Sequence, residues 1–175
     1  MTVIVRSGDL ASDAAPMVDL LAKHLNPRYD LARFNWLYQD NPAGPARAWV
    51  AAEPSTGEIV GTAAAIPREV YVEGAVRLVL VLSDFCLLPE YRALGPALRL
   101  QRACLAPVDS GDVPFCYDFP AHTMMAVYQR LEVTPLAQMR RFARPLRVDA
   151  RVRERVGQPL LATAVSAVGN ALLGI

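Results

Sequence analysis

The sequence predicts an α/β domain built on a mixed sheet, and three observations carry that reading. Short β-branched and apolar runs recur between Gly, Pro, Asn and Asp turn signals. Segments of 3.6-residue apolar spacing precede and follow those runs. The order is strand, two helices, three strands, helix, strand, helix, strand, which mixes hairpin meanders with a crossover. A chain of 175 residues is long enough for one such domain with a real core.

Thr2–Arg6 reads as a short strand with Val3 and Val5 on one face. Ser12 or Asp13 can cap a helix carrying Met17, Leu20, Leu21 and His24, with Pro16 in its first turn, where a missing N–H costs nothing. Asn26-Pro27 ends it, and His24 reads as a packed or capping residue. Asp30 starts a second helix from Leu31 to about Gln39, rich in aromatics, and Asp40–Pro45 is a turn. These two helices can lie as a lid over a pocket.

Ala46–Glu53 and Glu58–Arg68 form a hairpin whose second strand is small on both faces at Gly61 and Ala63–Ala65, with a bend or edge at Pro67. Val70–Val72 and Arg77–Leu88 form another hairpin around Glu73-Gly74. Leu78–Leu82 is apolar on both faces, as a central strand is. A helix runs from Pro96 to about Ala106 and Pro107 ends it. Val113–Phe119 is a strand, Pro120–Arg130 a helix, and Thr134–Arg144 alternates as a final strand. We divide the chain into a domain at 1–145 and a tail at 146–175. The tail holds an arginine-rich linker and an amphipathic helix with Leu161, Ala164, Val165, Val168 and Leu172 on one stripe. The apolar last residues, Leu173-Gly174-Ile175, leave open a neighbouring domain beyond them.

Composition excludes several classes. Hydrophobic residues make up 53% and the net charge is +1, so neither disorder nor a nucleic-acid footprint is expected. The C-terminal helix is too short and too polar for a membrane span. Three cysteines (Cys86, Cys104, Cys116) in apolar runs suit reduced thiols in a cytoplasmic protein. Two distant histidines and no paired-cysteine spacing leave a metal without ligands.

The stretch that carries chemistry runs from Leu78 to Arg102. A buried strand feeds a polar turn and then a helix start, and free backbone amides there make a phosphate site. Gly95 lets a ligand approach the backbone, small Ala97 leaves room beside it, and Arg92 adds positive charge. Arg92-Ala93-Leu94-Gly95-Pro96-Ala97 resembles the Arg/Gln-x-x-Gly-x-Gly/Ala signature of the GCN5-related N-acetyltransferases (GNAT). Leu87-Leu88-Pro89-Glu90-Tyr91-Arg92 resembles that family's lead-in, and Tyr128–Val133 its Tyr-Glu-Lys-Leu-Gly-Phe segment. The resemblance covers about Thr2 to Pro145.

It implies an acyl-CoA N-acyltransferase fold, with a mostly antiparallel sheet splayed at the strand before the turn. Acetyl-CoA is the implied co-substrate, without a metal. Its pyrophosphate would lie on Arg92, Ala93, Leu94, Gly95, Pro96, Ala97 and Leu98. Its arm would lie near Cys86 and Leu87, with the thioester carbonyl on a strand amide near Leu87. The resemblance further implies Asp84 as the base that deprotonates an amine and Tyr128 as the acid that meets the departing thiolate. Tyr29, Trp36 and Tyr38 are the aromatics expected to touch the acceptor, a primary amine of a small metabolite or amino-sugar. A homodimer or a second GNAT-like domain is left open as partner. Where relatives often carry glycine, a donor and asparagine, this chain has Ala93, Pro96 and Ala121, and Glu132-Val133 replaces Gly-Phe. The competing readings are a degenerate, non-catalytic binding domain of the same fold, or one half of a tandem protein.

Overall fold

The computed structural model describes residues 2–140, 142, 147–156 and 158–172. The chain divides into two compact units, Met1–Thr134 and Pro135–Ile175.

The first unit is a five-stranded sheet in the order β1 (Ile4–Ser7), β2 (Arg47–Ala52), β3 (Ile59–Val72), β4 (Ala75–Leu87), β5 (Cys116–Tyr117). The first four strands are antiparallel neighbours, and β5 joins β4 in parallel. Between β1 and β2 lie α1 (Ala14–His24) and α2 (Leu31–Phe34). The latter runs directly into a π turn, Asn35–Gln39. After β4 come a short 3₁₀ turn (Pro89–Tyr91), α3 (Leu94–Asp109), β5, a second 3₁₀ turn (His122–Met124) and α4 (Met125–Arg130).

Apolar side chains pack on both faces of the sheet. Met17, Leu21, Tyr29, Phe34 and Tyr38 join Val50, Ala64 and Cys86 on one face. Leu100, Cys104 and Val127 join Val60, Leu80, Leu82 and Leu87 on the other. Gly61 is needed where β3 passes β4: a Cβ there would overlap the Leu87 side chain and sit 3.1 Å from the Cys86 carbonyl oxygen. The β3–β4 hairpin closes through Glu73 (φ 51) and Gly74 (φ 82), the two left-handed residues that a two-residue turn of the right twist requires.

Several elements differ from the sequence reading for physical reasons. Asp13 is the residue before α1, but its carboxylate caps no helix amide. It accepts both Arg6 amino groups at 2.6 and 2.9 Å and the Asp9 N–H at 2.8 Å. Asp30, in contrast, caps α2 by accepting the Arg33 N–H at 2.7 Å. Pro67 neither breaks nor ends β3. Pairing with β2 stops at Ala65, so the proline nitrogen lies on a side without a ladder partner, and its carbonyl accepts Asn41 Nδ2 at 3.1 Å. Helix α3 starts at Leu94, two residues early, and runs through Pro107 to Asp109. The strand expected over Val113–Phe119 shrinks to Cys116–Tyr117. The final strand expected at Thr134–Arg144 is absent at 134–140 and 142, because an alternating pattern forms a strand only where a neighbour supplies the ladder. Residues 141 and 143–146 lie outside the described residues.

The second unit holds α5 (Asp149–Arg155) and α6 (Pro159–Leu172). Asn170 ties them, accepting the Val148 N–H at 3.0 Å and donating to Asp149 at 3.2 Å. Gly169 lets the two approach, since a Cβ there would stand 2.6 Å from Val148. The apolar stripe at Leu161, Val165, Val168 and Leu172 is exposed, whereas Ala162 and Ser166 are buried. The residues at 173–175 lie outside the described ones. No helix among the described residues is long and apolar enough to cross a membrane.

Candidate active site

The site is set by two irregularities of β4. The first is a bulge. Thr62 pairs with Cys86 and Ala64 with Ser83, so Ala63 alone opposes both Asp84 and Phe85. Asp84 takes φ 52, a left-handed conformation that a short polar residue tolerates better than most. Its Oδ2 accepts hydrogen bonds from Tyr29 Oη at 2.6 Å and Tyr38 Oη at 2.9 Å, and Ser83 Oγ donates to Oδ1 at 3.3 Å. Both phenols are buried. Burial, then the adjacent Asp84 charge, raises the pKa of each tyrosine well above its ordinary value, so each stays a donor. The π turn bears on this arrangement. Across its start, Phe34 at the end of α2 and Tyr38 within the turn stack with centroids 4.2 Å apart, and Tyr38 faces inward while Trp36 is 64% exposed. Trp36 instead lines a cavity of about 400 Å³ with Asn41, Pro42, Ala43, Arg68 and Glu69.

The second irregularity is the separation from β5. The two strands pair only at Leu80–Cys116 and Val81–Tyr117, while β4 continues to Leu87. Leu88 N–H donates to Val60 O on β3 at 2.9 Å, so the preceding amide, on Leu87, points to the opposite side, where β5 has ended. The Leu87 carbonyl faces that side too and accepts Arg92 Nε at 3.0 Å.

Downstream, the first intrahelical bond of α3 runs from Ala97 N–H to Ala93 O at 3.3 Å. The Leu94 and Gly95 amides precede it and have no acceptor within the helix, while Pro96 has no N–H to offer. Gly95 is not left-handed; a Cβ added there would meet nothing within 4 Å, so the space beside it is open to a ligand. Ala93, Leu94 and Gly95 are exposed, as is Arg92, whereas Pro96 and Ala97 are buried and Leu98 packs on the core. The exposed part of the turn therefore has the donor set an anionic group needs.

On the far side of the sheet, Tyr128 is 6% exposed. Its hydroxyl donates to Asp118 Oδ2 at 2.5 Å and accepts from Gln101 Nε2 at 3.2 Å. Burial, followed by the bond to Asp118, raises its pKa far above the ordinary phenol value. Asp118 and Gln101 are the members of this cluster that sequence reasoning missed. A glutamine on a helix and an aspartate after a strand carry no local signal of a shared partner. Cys86, Cys104 and Cys116 are free, and burial pushes all three thiols up.

The family comparison gives this fold its class. The acetyltransferase (GNAT) domain model matches residues 13–135, and the chain belongs to that family. No curated protein sequence matches it. Solved structures share the fold at low identity. An acetyltransferase of Trypanosoma brucei is 20% identical, with a TM-score of 0.64 over 82% of this chain and 100% of that one. Glucosamine-6-phosphate N-acetyltransferase of Arabidopsis thaliana is 12% identical, with a TM-score of 0.60 over 82% and 100%. An aminoglycoside acetyltransferase from an uncultured soil metagenomic sample is 21% identical, with a TM-score of 0.60 over 83% and 99%.

Proposed function

We propose that the protein is an acetyl-CoA-dependent N-acetyltransferase acting in the cytoplasm on a primary amine of a small metabolite or amino-sugar. The observation that carries this reading is the Leu87 backbone amide, turned to the side of β4 that β5 has left. Acetyl-CoA would supply an acetyl group activated as a thioester. The amides of Leu94 and Gly95, with Arg92 nearby, would hold its pyrophosphate, and the Leu87 N–H would stand by its carbonyl oxygen.

An alkylammonium acceptor is protonated at neutral pH and must lose a proton before it attacks. Asp84 is the base in this proposal. Two tyrosine hydroxyls occupy Oδ2, so Oδ1, with only the long Ser83 contact, is the oxygen left to take that proton. Tyr29 and Tyr38 hold the carboxylate at a fixed angle. The amine would attack the thioester carbon directly, its C–N bond forming as the C–S bond breaks and coenzyme A leaves as a thiolate that solvent can protonate, without a covalent enzyme intermediate. The second reading, a silent binding domain, draws on Pro96, which removes one amide from the cradle.

Calorimetry with acetyl-CoA separates the two, and a mass-spectrometric screen of amines then identifies the acceptor. Micromolar binding with acetylation of an amine is expected. Absence of binding at millimolar acetyl-CoA would sink the enzyme reading.

A further inference from the structure

Asp118 stands one residue past the last ladder pair between β4 and β5. By strand alternation, the carbonyl of Phe115 and the amides of Tyr117 and Phe119 face β4, and Leu80 N–H does donate to Phe115 O at 3.4 Å. The Phe119 N–H is thus the next group able to extend the ladder. Asp118 Oδ1 captures it at 2.7 Å. The other oxygen, Oδ2, takes the Tyr128 hydroxyl, which Gln101 in turn supports from α3. Gln101 is 2% exposed and Tyr128 6%, so the anchor is embedded in the core beneath the sheet.

We propose that Asp118 is a positioning residue: it withdraws the next ladder amide of β5 and, fastened to Tyr128 and Gln101, keeps the open side of β4 free for the cofactor arm. The inference rests on the acetyl-CoA reading for what fills the gap, but not for the latch itself. In this proposal Tyr128 directs its hydroxyl hydrogen to Asp118 and works as an anchor.

The test uses the full chain and coenzyme A alone as probe, with D118A, D118N and Y128F. Calorimetry of D118A should show CoA binding weakened by about tenfold or more, a larger factor than its loss of kcat. D118N, whose amide oxygen can still accept the Phe119 N–H, should recover most of that loss. Y128F should weaken binding in the same direction, and the D118A/Y128F double variant should be no worse than D118A, because both changes undo one network. Hydrogen exchange gives a readout that simple destabilisation would not move: the β4 amides on the open side, Leu87 among them, should exchange more slowly in D118A, as β5 zips further along β4. The proposal is overturned if D118A binds CoA within about twofold of wild type, or if those amides exchange faster in step with a lowered Tm. A kcat loss in Y128F with unchanged CoA affinity also overturns it, in favour of Tyr128 as a proton donor. If wild type itself fails to bind CoA, the functional reading falls, and the exchange experiment still decides the latch.

Discussion

Two tyrosine–carboxylate clusters flank the same sheet, and they are built from like parts for unlike ends. Around Asp84, two buried phenols converge on one oxygen of a left-handed residue in a bulge, and the second oxygen meets only Ser83 at 3.3 Å. Around Asp118, one phenol and one backbone amide take one oxygen each, so each oxygen carries a short hydrogen bond to the chain. The first cluster holds a charge in place while leaving it an unfilled acceptor site, which suits proton transfer. The second spends both oxygens on holding the chain, which suits architecture. Residue type and burial alone do not tell these apart; the way the short hydrogen bonds are shared between the two oxygens does.

The sharpest way to break that comparison is D84N, which keeps the left-handed backbone and the side-chain shape. Turnover should fall by roughly 10²–10⁴, the range for losing a general base, with CoA affinity unchanged by calorimetry. Equal turnover in D84N would make Asp84 a second architectural carboxylate and erase the contrast.

A smaller effect is expected from G61A. The added methyl meets Leu87 and the Cys86 carbonyl on the strand that links the two clusters. Overpacking of this kind costs about 1–3 kcal/mol, read as a lower urea midpoint. Because the push falls on Leu87, CoA binding should weaken together with stability. Loss of stability with full CoA affinity would mean that the Leu87 amide is not part of the gap.

The smallest effect concerns pH. Tyr29, Tyr38 and Tyr128 all have folded-state pKa values raised above the ordinary phenol value. A raised folded value means that the folded state holds its proton longer than the unfolded chain. The associated stability is therefore fully present below about pH 10 and is lost as pH rises from there through the folded values. In D118N the bond and the charge that raise Tyr128 are weakened, so one phenol should ionise at lower pH than in wild type. A spectrophotometric tyrosinate titration, with Y128F as the blank, checks this. Identical curves for D118N and wild type would remove Asp118 as the partner.

Much of the fold was legible because its determinants are local. The apolar runs of β2 to β4, the Glu73-Gly74 hairpin, the Asp30 cap and the Arg92–Ala97 turn each depend on a few neighbouring residues. The same local pattern misled at 134–140, where alternation is present but the described residues form no strand. For the proposed site, Asp84 and Leu87 were named only through the family resemblance. Trp36 and Tyr38 looked alike in sequence, and the π turn turned one outward and the other to Asp84.

By itself, then, the sequence determined which segments are strands and helices over most of the first unit, and that a helix start with bare amides follows the central strand. Periodicity and capping act over a few residues, so they are written in the order of the chain. Only the tertiary structure decided which carboxylate keeps an oxygen without a short hydrogen bond and which has one on each oxygen. Asp84 finds its phenols 55 and 46 residues away, and Asp118 finds Tyr128 from another element. Hydrogen bonds across such separations depend on how layers pack and where a bulge inserts one extra residue, and neither is encoded in any single stretch.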